Sequence, residues 1–222
     1  MDLVNVYIDA GHGAQGNPGN ESAFCVDEQD FTLSLAEDLA RRLPTLGDFA
    51  VKLSRQGEQR KDYADRITEA KDWGADAFIS LHSDVRGPGY AWKQVQGRDC
   101  YRNEGHGGFA ILWSDETVDS TLAAGRKDLA QRLAVEMLAH GFTAYDGADY
   151  PGLYDTTSPG VFVDRHSPER RIRVLRRPAM PSVIIETHQA WDVGEAIAWN
   201  LPETRAVFAA AVARALDTGS TR

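Results

Sequence analysis

Short apolar segments alternate with amphipathic helical segments along this chain, and this alternation limits the fold more than any other feature. Strands are predicted at residues 4–8, 51–54, 77–81, 109–113 and 182–185, with a weaker candidate at 172–175. Helices are predicted at residues 28–43, 59–73, 121–140 and 203–217. Such alternation is typical of a mostly parallel sheet covered on both faces. We therefore predict an α/β fold: a single domain with a twisted, mixed but mostly parallel sheet of about six strands, covered by helices on both faces.

Two stretches interrupt this alternation and are rich in glycine, proline and aromatic residues. They cover residues 86–108 and 141–160. We predict long loops here, and long loops in compact domains are usually either functional or disordered. The length of 222 residues suits one domain, so we predict a single domain over residues 1–222 with a frayed tail at 218–222.

Charge and hydropathy exclude several classes of partner. The chain has 24 Lys and Arg against 33 Asp and Glu, a net charge of −9, and so lacks the basic footprint of a nucleic-acid-binding protein. No apolar run approaches the roughly 18 residues of a membrane span. The first five residues lack the basic and apolar segments of a signal peptide. No heptad pattern or apolar stripe indicates a protein partner, so we expect a monomer.

The chemistry-bearing residues follow the predicted strands. His12 follows the first strand, His82 the third and Glu186 the late one, while Glu28 opens the first helix after a glycine-rich loop. The carboxyl ends of parallel strands meet at one edge of a sheet, where ligands bind. Two imidazoles and a carboxylate are a recurrent ligand set for catalytic zinc, and a second carboxylate can then act as general base. These spacings alone are weak evidence for a metal site, because the chain has no local metal-binding motif.

Taken together, several segments have the order and spacing of a known family. They are residues 8–13 (IDAGHG), 28–33 (EQDFTL), 51–55 (VKLSR), 75–83 (ADAFISLHS) and 180–186 (MPSVIIE), with Arg66, 164–165 and 174–176 between them. From residue 4 to 186 the chain resembles the zinc-dependent N-acetylmuramoyl-L-alanine amidases of bacterial cell walls and phage lysins, the type-3 amidase family. The combination is specific, whereas no single segment is.

The resemblance implies a role for each matching position. His12, Glu28 and His82 would ligate one Zn²⁺ ion, with Asp27 as the rival of Glu28, and Glu186 would be the catalytic carboxylate. The substrate implied is peptidoglycan, cut between the lactyl group of N-acetylmuramic acid and the first L-alanine of the stem peptide. Residues 1–222 would then be a single catalytic amidase domain.

Other residues are candidates for substrate binding. His188 lies two residues after Glu186 and would share its face if the strand continues, so it either binds substrate or is a hydrogen-bonded structural histidine. Arg165 and Arg176 belong to a basic window at 165–177 and either grip stem-peptide carboxylates or form a solvated face. Asp84, just beyond His82, is a further candidate. The aromatic residues of the two long loops either stack on sugar rings or hold the loops in place.

Three matters stay open in the sequence. Residues 187–192 depart from the family pattern, which leaves a zinc amidohydrolase acting on a small N-acyl amino acid or peptide as an alternative. A non-catalytic wall-binding domain is less favoured, because all four candidate residues are present.

Since peptidoglycan lies outside the cytoplasmic membrane, we expect an extracellular or periplasmic protein at the cell wall whose signal has been removed, or a phage-type lysin released from the cytoplasm. Cys25 and Cys100 form one disulfide or stay as free thiols.

Overall fold

The computed structural model describes residues 3–14, 16–57 and 59–217. Its strands are β1 (Val4–Ala10), β2 (Phe49–Leu53), β3 (Ala77–Asp84), β4 (Tyr90–Val95), β5 (Arg98–Arg102), β6 (Ala110–Trp113), β7 (Tyr154–Ser158), β8 (Val161–Asp164) and β9 (Ser182–Gln189). Its helices are α1 (Glu28–Leu46), α2 (Tyr63–Asp72), α3 (Ser120–Ala139), α4 (Arg173–Arg176), α5 (Val193–Ala198) and α6 (Pro202–Leu216). The tail at 218–222, predicted to fray, lies outside the described residues.

A seven-stranded sheet forms the centre of the molecule, with its strands in the order β2-β1-β3-β9-β6-β8-β7. The first four strands run parallel to one another. Strand β6 is antiparallel to β9 and parallel to β8, and β7 closes the sheet as an antiparallel edge strand. The predicted mixed, mostly parallel sheet is confirmed, with seven strands instead of about six.

Because the sheet contains strands of both directions, the residues that follow its strands lie at two opposite edges. The carboxyl ends of β1, β3 and β9 meet at one edge, here called the β1/β3/β9 edge. Because β6 and β8 run the opposite way to β9, their carboxyl ends lie at the other edge. Residues that follow β1, β3 or β9 are therefore brought together, and residues that follow β6 or β8 are kept away from them.

Apolar side chains fill both faces of this sheet. On one face, Ile8 and Ile185 pack with helices α1, α3 and α6 in the larger cluster, which includes Leu35. On the other face, Phe78 and Ile184 pack with residues of α2, α4 and the segment after α3. Strands covered on both faces need apolar residues at consecutive positions, which explains the run at 77–81. No helix among the described residues is long and apolar enough to cross a membrane.

Both predicted long loops contain strands. Within 86–108, β4 and β5 form a two-stranded antiparallel ribbon that stands apart from the main sheet. Within 141–160, β7 pairs with β8 at the edge of the sheet. Strand β7 is mostly solvent-exposed and polar, so it lacks the apolar pattern by which a buried strand is recognised. The prediction of long irregular loops is therefore wrong for these parts of both stretches.

The weaker strand candidate at 172–175 is also wrong, because this segment forms the single-turn helix α4. Val174 and Leu175 are buried and pack on the sheet face that carries Ile184. Two adjacent apolar residues are buried equally well by one helical turn and by a short strand, so periodicity does not distinguish them.

The two cysteines form a disulfide. Cys100 of β5 is bonded to Cys25, in the segment before α1, across 75 residues of sequence. The same segment accepts a hydrogen bond from Trp92 Nε1 at the carbonyl oxygen of Ala23, 2.7 Å away. The ribbon is therefore attached to the chain that enters α1 by a covalent and a polar link.

Removing this disulfide will destabilise the fold. In a variant with Cys25→Ser and Cys100→Ser, we expect the free energy of unfolding to fall by about 2–4 kcal/mol, because the unfolded chain gains the entropy of a long open loop. Urea unfolding followed by circular dichroism, with and without reductant, measures the change. Reductant should lower the midpoint of the wild-type protein and leave the double variant unchanged. Identical midpoints in all four samples would contradict the prediction.

Candidate active site and metal centre

The turn after β1 is held by a fully buried arginine from α2. Arg66 Nη1 donates to Asp9 Oδ1 at 2.9 Å and to the carbonyl oxygen of Ala10 at 3.0 Å, and Nη2 donates to the carbonyl oxygen of His12. Burial alone would raise the pKa of Asp9, but the Arg66 guanidinium and the Ser80 hydroxyl outweigh it and hold this pKa below its usual range. The carboxylate therefore stays ionised, and the ion pair fixes the backbone from Asp9 to His12.

His12 adopts a left-handed backbone conformation with φ 59°, which is uncommon for a residue other than glycine. Its ring is oriented by Asn17, whose Oδ1 lies 3.0 Å from His12 Nδ1. Asn17 Nδ2 in turn donates to the hydroxyl of Tyr63 at 2.8 Å. Since a carboxamide oxygen only accepts hydrogen bonds, Nδ1 carries a proton, and Nε2 is the nitrogen that faces Glu28 and would bind a ligand.

Glu28, the first residue of α1, lies between the two histidines. Its Oε2 is 3.0 Å from His12 Nε2, and its Oε1 is 2.9 Å from His82 Nδ1. The backbone nitrogen of Ser83 donates to Oε1 at 3.0 Å, and Asn20 Nδ2 donates to Oε2 at 2.8 Å. One nitrogen of each imidazole and a carboxylate oxygen all lie within 4.8 Å of one another. The structure therefore brings together the three predicted ligands.

The protonation of this cluster suits a cation. Burial would raise the pKa of Glu28, but its hydrogen bonds to His12 and His82 outweigh burial and hold the pKa well below its usual range. The carboxylate is thus ionised at neutral pH. Burial lowers the pKa of each histidine, but the Glu28 carboxylate more than reverses this, so a cation that binds here displaces protons from the two rings. Two half-buried imidazoles and one buried carboxylate are a donor set that Zn²⁺ accepts.

Two glycines leave the space that the cluster needs. A Cβ on Gly11 would lie 2.5 Å from His82 Nε2 and from the Leu81 carbonyl oxygen. A Cβ on Gly19 would lie 2.5 Å from Glu28 Oε2, and Gly19 also has φ +85°. Any larger residue at either position would displace a predicted ligand.

Glu186 lies beside the cluster on the neighbouring strand. It pairs with His82 in the register of β3 and β9. Its Oε2 is buried and has no hydrogen-bond partner among the described residues. Burial and the nearby charge of Asp84 raise the pKa of Glu186 to about 8. A buried, unpartnered oxygen with a pKa near neutrality is suited to accepting and returning a proton.

Asp84 is already engaged within the protein. Its Oδ2 accepts from Arg86 Nε at 2.9 Å and from the Tyr150 hydroxyl at 2.6 Å. The buried Arg86 guanidinium also lies 4.0 Å from the centre of the Tyr145 ring. Asp84 is therefore bonded to the protein's own groups, and the substrate-binding role predicted for it stays a prediction.

His188 does not lie beside Glu186. The register of β3 and β9 shifts between the pairs His82–Glu186 and Asp84–Gln189, so strand alternation is broken there. The His188 ring stacks on Trp199 with centroids 5.8 Å apart. Burial lowers its pKa to about 3, which keeps the ring neutral. The expectation of a shared face is wrong, and the position matches the structural histidine considered as the alternative, although the ring also lines a small cavity that Glu28 borders.

Arg165 and Arg176 lie at the other edge of the sheet. Arg165 follows β8, which runs opposite to β9, and it is paired with Asp115 at 3.0 Å and with Asp155 at 2.7 Å. Arg176 in α4 is paired with Glu116 at 2.9 Å. The structure does not bring these arginines to the cluster, and acidic side chains of the protein itself already neutralise them. A role in binding stem-peptide carboxylates remains a prediction without support from this geometry.

Sequence reasoning gave no role to several residues that orient the cluster. Arg66 and Arg55 support the turn after β1, and Asn17 and Asn20 hold ligand side chains. A charged residue beside the apolar stripe of α2 was the available signal for Arg66. Asp27, the rival ligand, instead lies 3.5 Å from Arg98.

Comparisons with known proteins all point to one family. A family model described as N-acetylmuramoyl-L-alanine amidase matches residues 6–218. Over 88 residues the chain is 36% identical to N-acetylmuramoyl-L-alanine amidase CwlM from Bacillus licheniformis, covering 38% of this chain and 33% of that protein. Over 195 residues it is 24% identical to N-acetylmuramoyl-L-alanine amidase AmiC from Neisseria meningitidis serogroup B, covering 82% of this chain and 44% of that protein. The chain thus spans less than half the length of these curated relatives.

A solved structure has the same fold. The N-acetylmuramoyl-L-alanine amidase from Clostridium difficile 630 matches with a TM-score of 0.71 and 21% identity, over 97% of this chain and 95% of that one. At this level of identity the likeness establishes the fold, and the roles of individual residues have to be argued from the cluster itself.

Loss of the carboxamide that orients His12 will weaken metal binding. In Asn17→Ala, we expect the affinity for Zn²⁺ to fall about 10–100-fold, because the ring loses the hydrogen bond that fixes its tautomer. Competition against a chromophoric chelator measures the affinity. Gln131→Ala on α3, far from the cluster, is the matched control and should bind zinc like the wild type. Equal affinities in all three proteins would contradict the assignment of His12.

Proposed function

The chain belongs to the N-acetylmuramoyl-L-alanine amidase family, and from this premise we propose that it hydrolyses the amide bond between N-acetylmuramic acid and L-alanine in peptidoglycan, with one bound Zn²⁺. The observation that carries the proposal is the convergence of His12, Glu28 and His82 beside the unpartnered oxygen of Glu186. Three ligand side chains and a separate carboxylate are the minimum that a zinc amidase needs.

The three ligand side chains fit a zinc ion. His12 is oriented by Asn17, and Glu28 is ionised and held by Ser83 and Asn20. When bound, Zn²⁺ would act as a Lewis acid that makes water more acidic and polarises the carbonyl group. The chain supplies a donor set whose side chains are already held together, so little reorganisation is needed on binding.

Glu186 supplies the proton chemistry. Its Oε2 has no internal partner, so it can accept a proton from the attacking water and return it to the amide nitrogen that departs with the peptide. Burial and the negative charge of Asp84 both raise the pKa of Glu186, so the carboxylate is a stronger base than a free glutamate.

Two alternatives remain distinguishable by experiment. A zinc amidohydrolase acting on a small N-acyl amino acid or peptide would use the same four residues with a different pocket, and the unusual segment at 187–192 keeps this alternative open. A wall-binding domain without catalysis would retain the fold but would not need Glu186 to have an unpartnered oxygen.

The substrate suggests where the protein acts. Peptidoglycan lies outside the cytoplasmic membrane, so we place the activity at the cell wall, reached either by export or by release as a phage-type lysin. We further propose that the protein acts as a monomer.

Digestion of purified peptidoglycan tests the assignment directly. We expect mass spectrometry to find intact stem peptides with a free L-alanine amine, because the proposed cleavage leaves the glycan strand whole. A chelator should abolish their release, and added Zn²⁺ should restore it. If the zinc-loaded protein releases no such peptides but hydrolyses small N-acyl amino acids, the first alternative is correct.

Replacing the proposed base separates catalysis from metal binding. In Glu186→Gln, we expect the rate of peptide release to fall by about 10² to 10⁴, because the amide cannot accept the proton of water. The zinc content, measured by atomic emission, should match the wild type. The matched control is Glu136→Gln on α3, which should retain full activity. Wild-type rates in Glu186→Gln would remove this residue from the mechanism.

A further inference from the structure

The β4–β5 ribbon has a regular, well-defined structure on the surface of the protein. It is closed by a two-residue turn at Gln96 and Gly97, which have φ 52° and 79°. Positive φ at both positions is typical of the tight type I′ turn, whose twist matches that of the flanking strands. The ribbon therefore has a defined shape although it lies outside the main sheet.

The ribbon is anchored to both elements of the proposed active site. The disulfide joins Cys100 to Cys25, three residues before Glu28. On its other side, the backbone nitrogen of Asn103 donates to the carbonyl oxygen of Trp191, 2.9 Å away and just beyond β9. The ribbon thus bridges the segment that leads to a proposed metal ligand and the segment that follows the proposed base.

Two cations lie over aromatic rings of this ribbon and of the segment before α1. This surface, here called the cation–aromatic face, consists of Tyr90, Trp92, Lys93 and Arg102 of the ribbon, together with Phe24. Lys93 Nζ lies 4.6 Å from the centre of the Phe24 ring and 5.1 Å from that of Trp92. The Arg102 guanidinium lies 5.3 Å from the Tyr90 ring and 5.8 Å from that of Trp92. Tyr90 is 53% exposed, so part of this aromatic surface is open to a ligand.

The two cations of this face lack close acidic partners. Among the described residues, Lys93 has no ion pair, and Arg102 has one, with Glu104 at 3.8 Å. By contrast Arg98, the first residue of β5, is paired with Glu21 at 2.8 Å. One unpaired and one loosely paired cation in a protein of net charge −9 make this face a local site that attracts an anionic ligand.

We propose that the cation–aromatic face binds an anionic saccharide chain and holds it next to the metal centre, an inference that rests on the proposed amidase function. The apolar C–H faces of sugar rings stack on aromatic rings, and the stem-peptide carboxylates of peptidoglycan pair with Lys93 and Arg102. The polymer, and not the scissile amide alone, would then determine affinity.

The shape of the ribbon favours a polymer over a membrane. Its tip carries Gln94, Gln96, Gly97 and Arg98 around a single half-buried valine, Val95, and so offers little apolar surface to insert between lipids. The aromatic rings lie along the face of the ribbon and not at its tip. A surface of this kind suits a ligand that lies flat across it.

Kinetics on a polymer and on a fragment test the proposal. The oxidised, zinc-loaded full chain is compared with Tyr90→Ala, with Lys93→Gln and with the double variant, on intact sacculi and on a monomeric N-acetylmuramoyl-peptide. For the double variant, we expect the ratio of kcat/KM on sacculi to kcat/KM on the fragment to fall about tenfold, through a higher KM on sacculi. Val135→Ala and Lys127→Gln on the exposed surface of α3 are the matched controls and should keep the wild-type ratio. An unchanged ratio in the double variant, or an equal fall in the controls, would overturn the proposal.

A sedimentation assay tests binding by the cation–aromatic face separately from the amidase activity. Inactive Glu186→Gln protein is mixed with sacculi, with glycan chains stripped of stem peptides, or with phosphatidylglycerol vesicles. We expect sedimentation with sacculi, weaker sedimentation with stripped chains, and loss of both on adding Tyr90→Ala and Lys93→Gln. Binding to the vesicles alone, or to none of the three, would overturn the proposal. If the wild type releases no peptide while the ribbon substitutions still abolish sedimentation, that result would contradict the amidase function and support saccharide binding by the cation–aromatic face.

Discussion

The buried ion pair between Arg66 and Asp9 is the interaction on which the site depends. Burying two charges is costly, and the cost is offset here because the guanidinium also satisfies the carbonyl oxygens of Ala10 and His12. Those hydrogen bonds hold His12 in a left-handed conformation that it would seldom adopt alone. A charge from α2 thereby fixes the backbone from which the His12 imidazole projects, and Asn17 then orients the ring.

Two glutamates at the β1/β3/β9 edge have pKa values shifted in opposite directions. Glu28 accepts hydrogen bonds from His12 and His82, which keep its pKa far below the usual range despite burial. Glu186 has one oxygen without a donor and a nearby negative charge, so burial prevails and its pKa rises to about 8. Separated pKa values in neighbouring carboxylates commonly mark different roles, here a ligand and a base. The difference comes from hydrogen-bond donors and not from depth, since both side chains lie at the same edge.

Much of this arrangement was readable from the sequence. The alternation of apolar segments with amphipathic helices predicted the α/β sheet, because both patterns are local and periodic. His12, His82 and Glu186 follow predicted parallel strands. Because the carboxyl ends of such strands lie at one edge, the sequence predicts that these three residues lie close together. The order of segments around them identified the family. The sequence did not predict short or polar elements, such as the ribbon and β7, because exposed elements lack a periodic apolar pattern.

The sequence by itself determined the longer buried strands and helices and which residue types meet at the active edge. Only the tertiary structure decided on which face a side chain lies and to which edge a strand end belongs. The register shift near Asp84 turned His188 toward the core, and the reversed direction of β8 carried Arg165 to the far edge. The reason is physical: strand direction, register and the partners of a buried arginine such as Arg66 are set by contacts between segments distant in the chain. Local periodicity carries no information about those contacts.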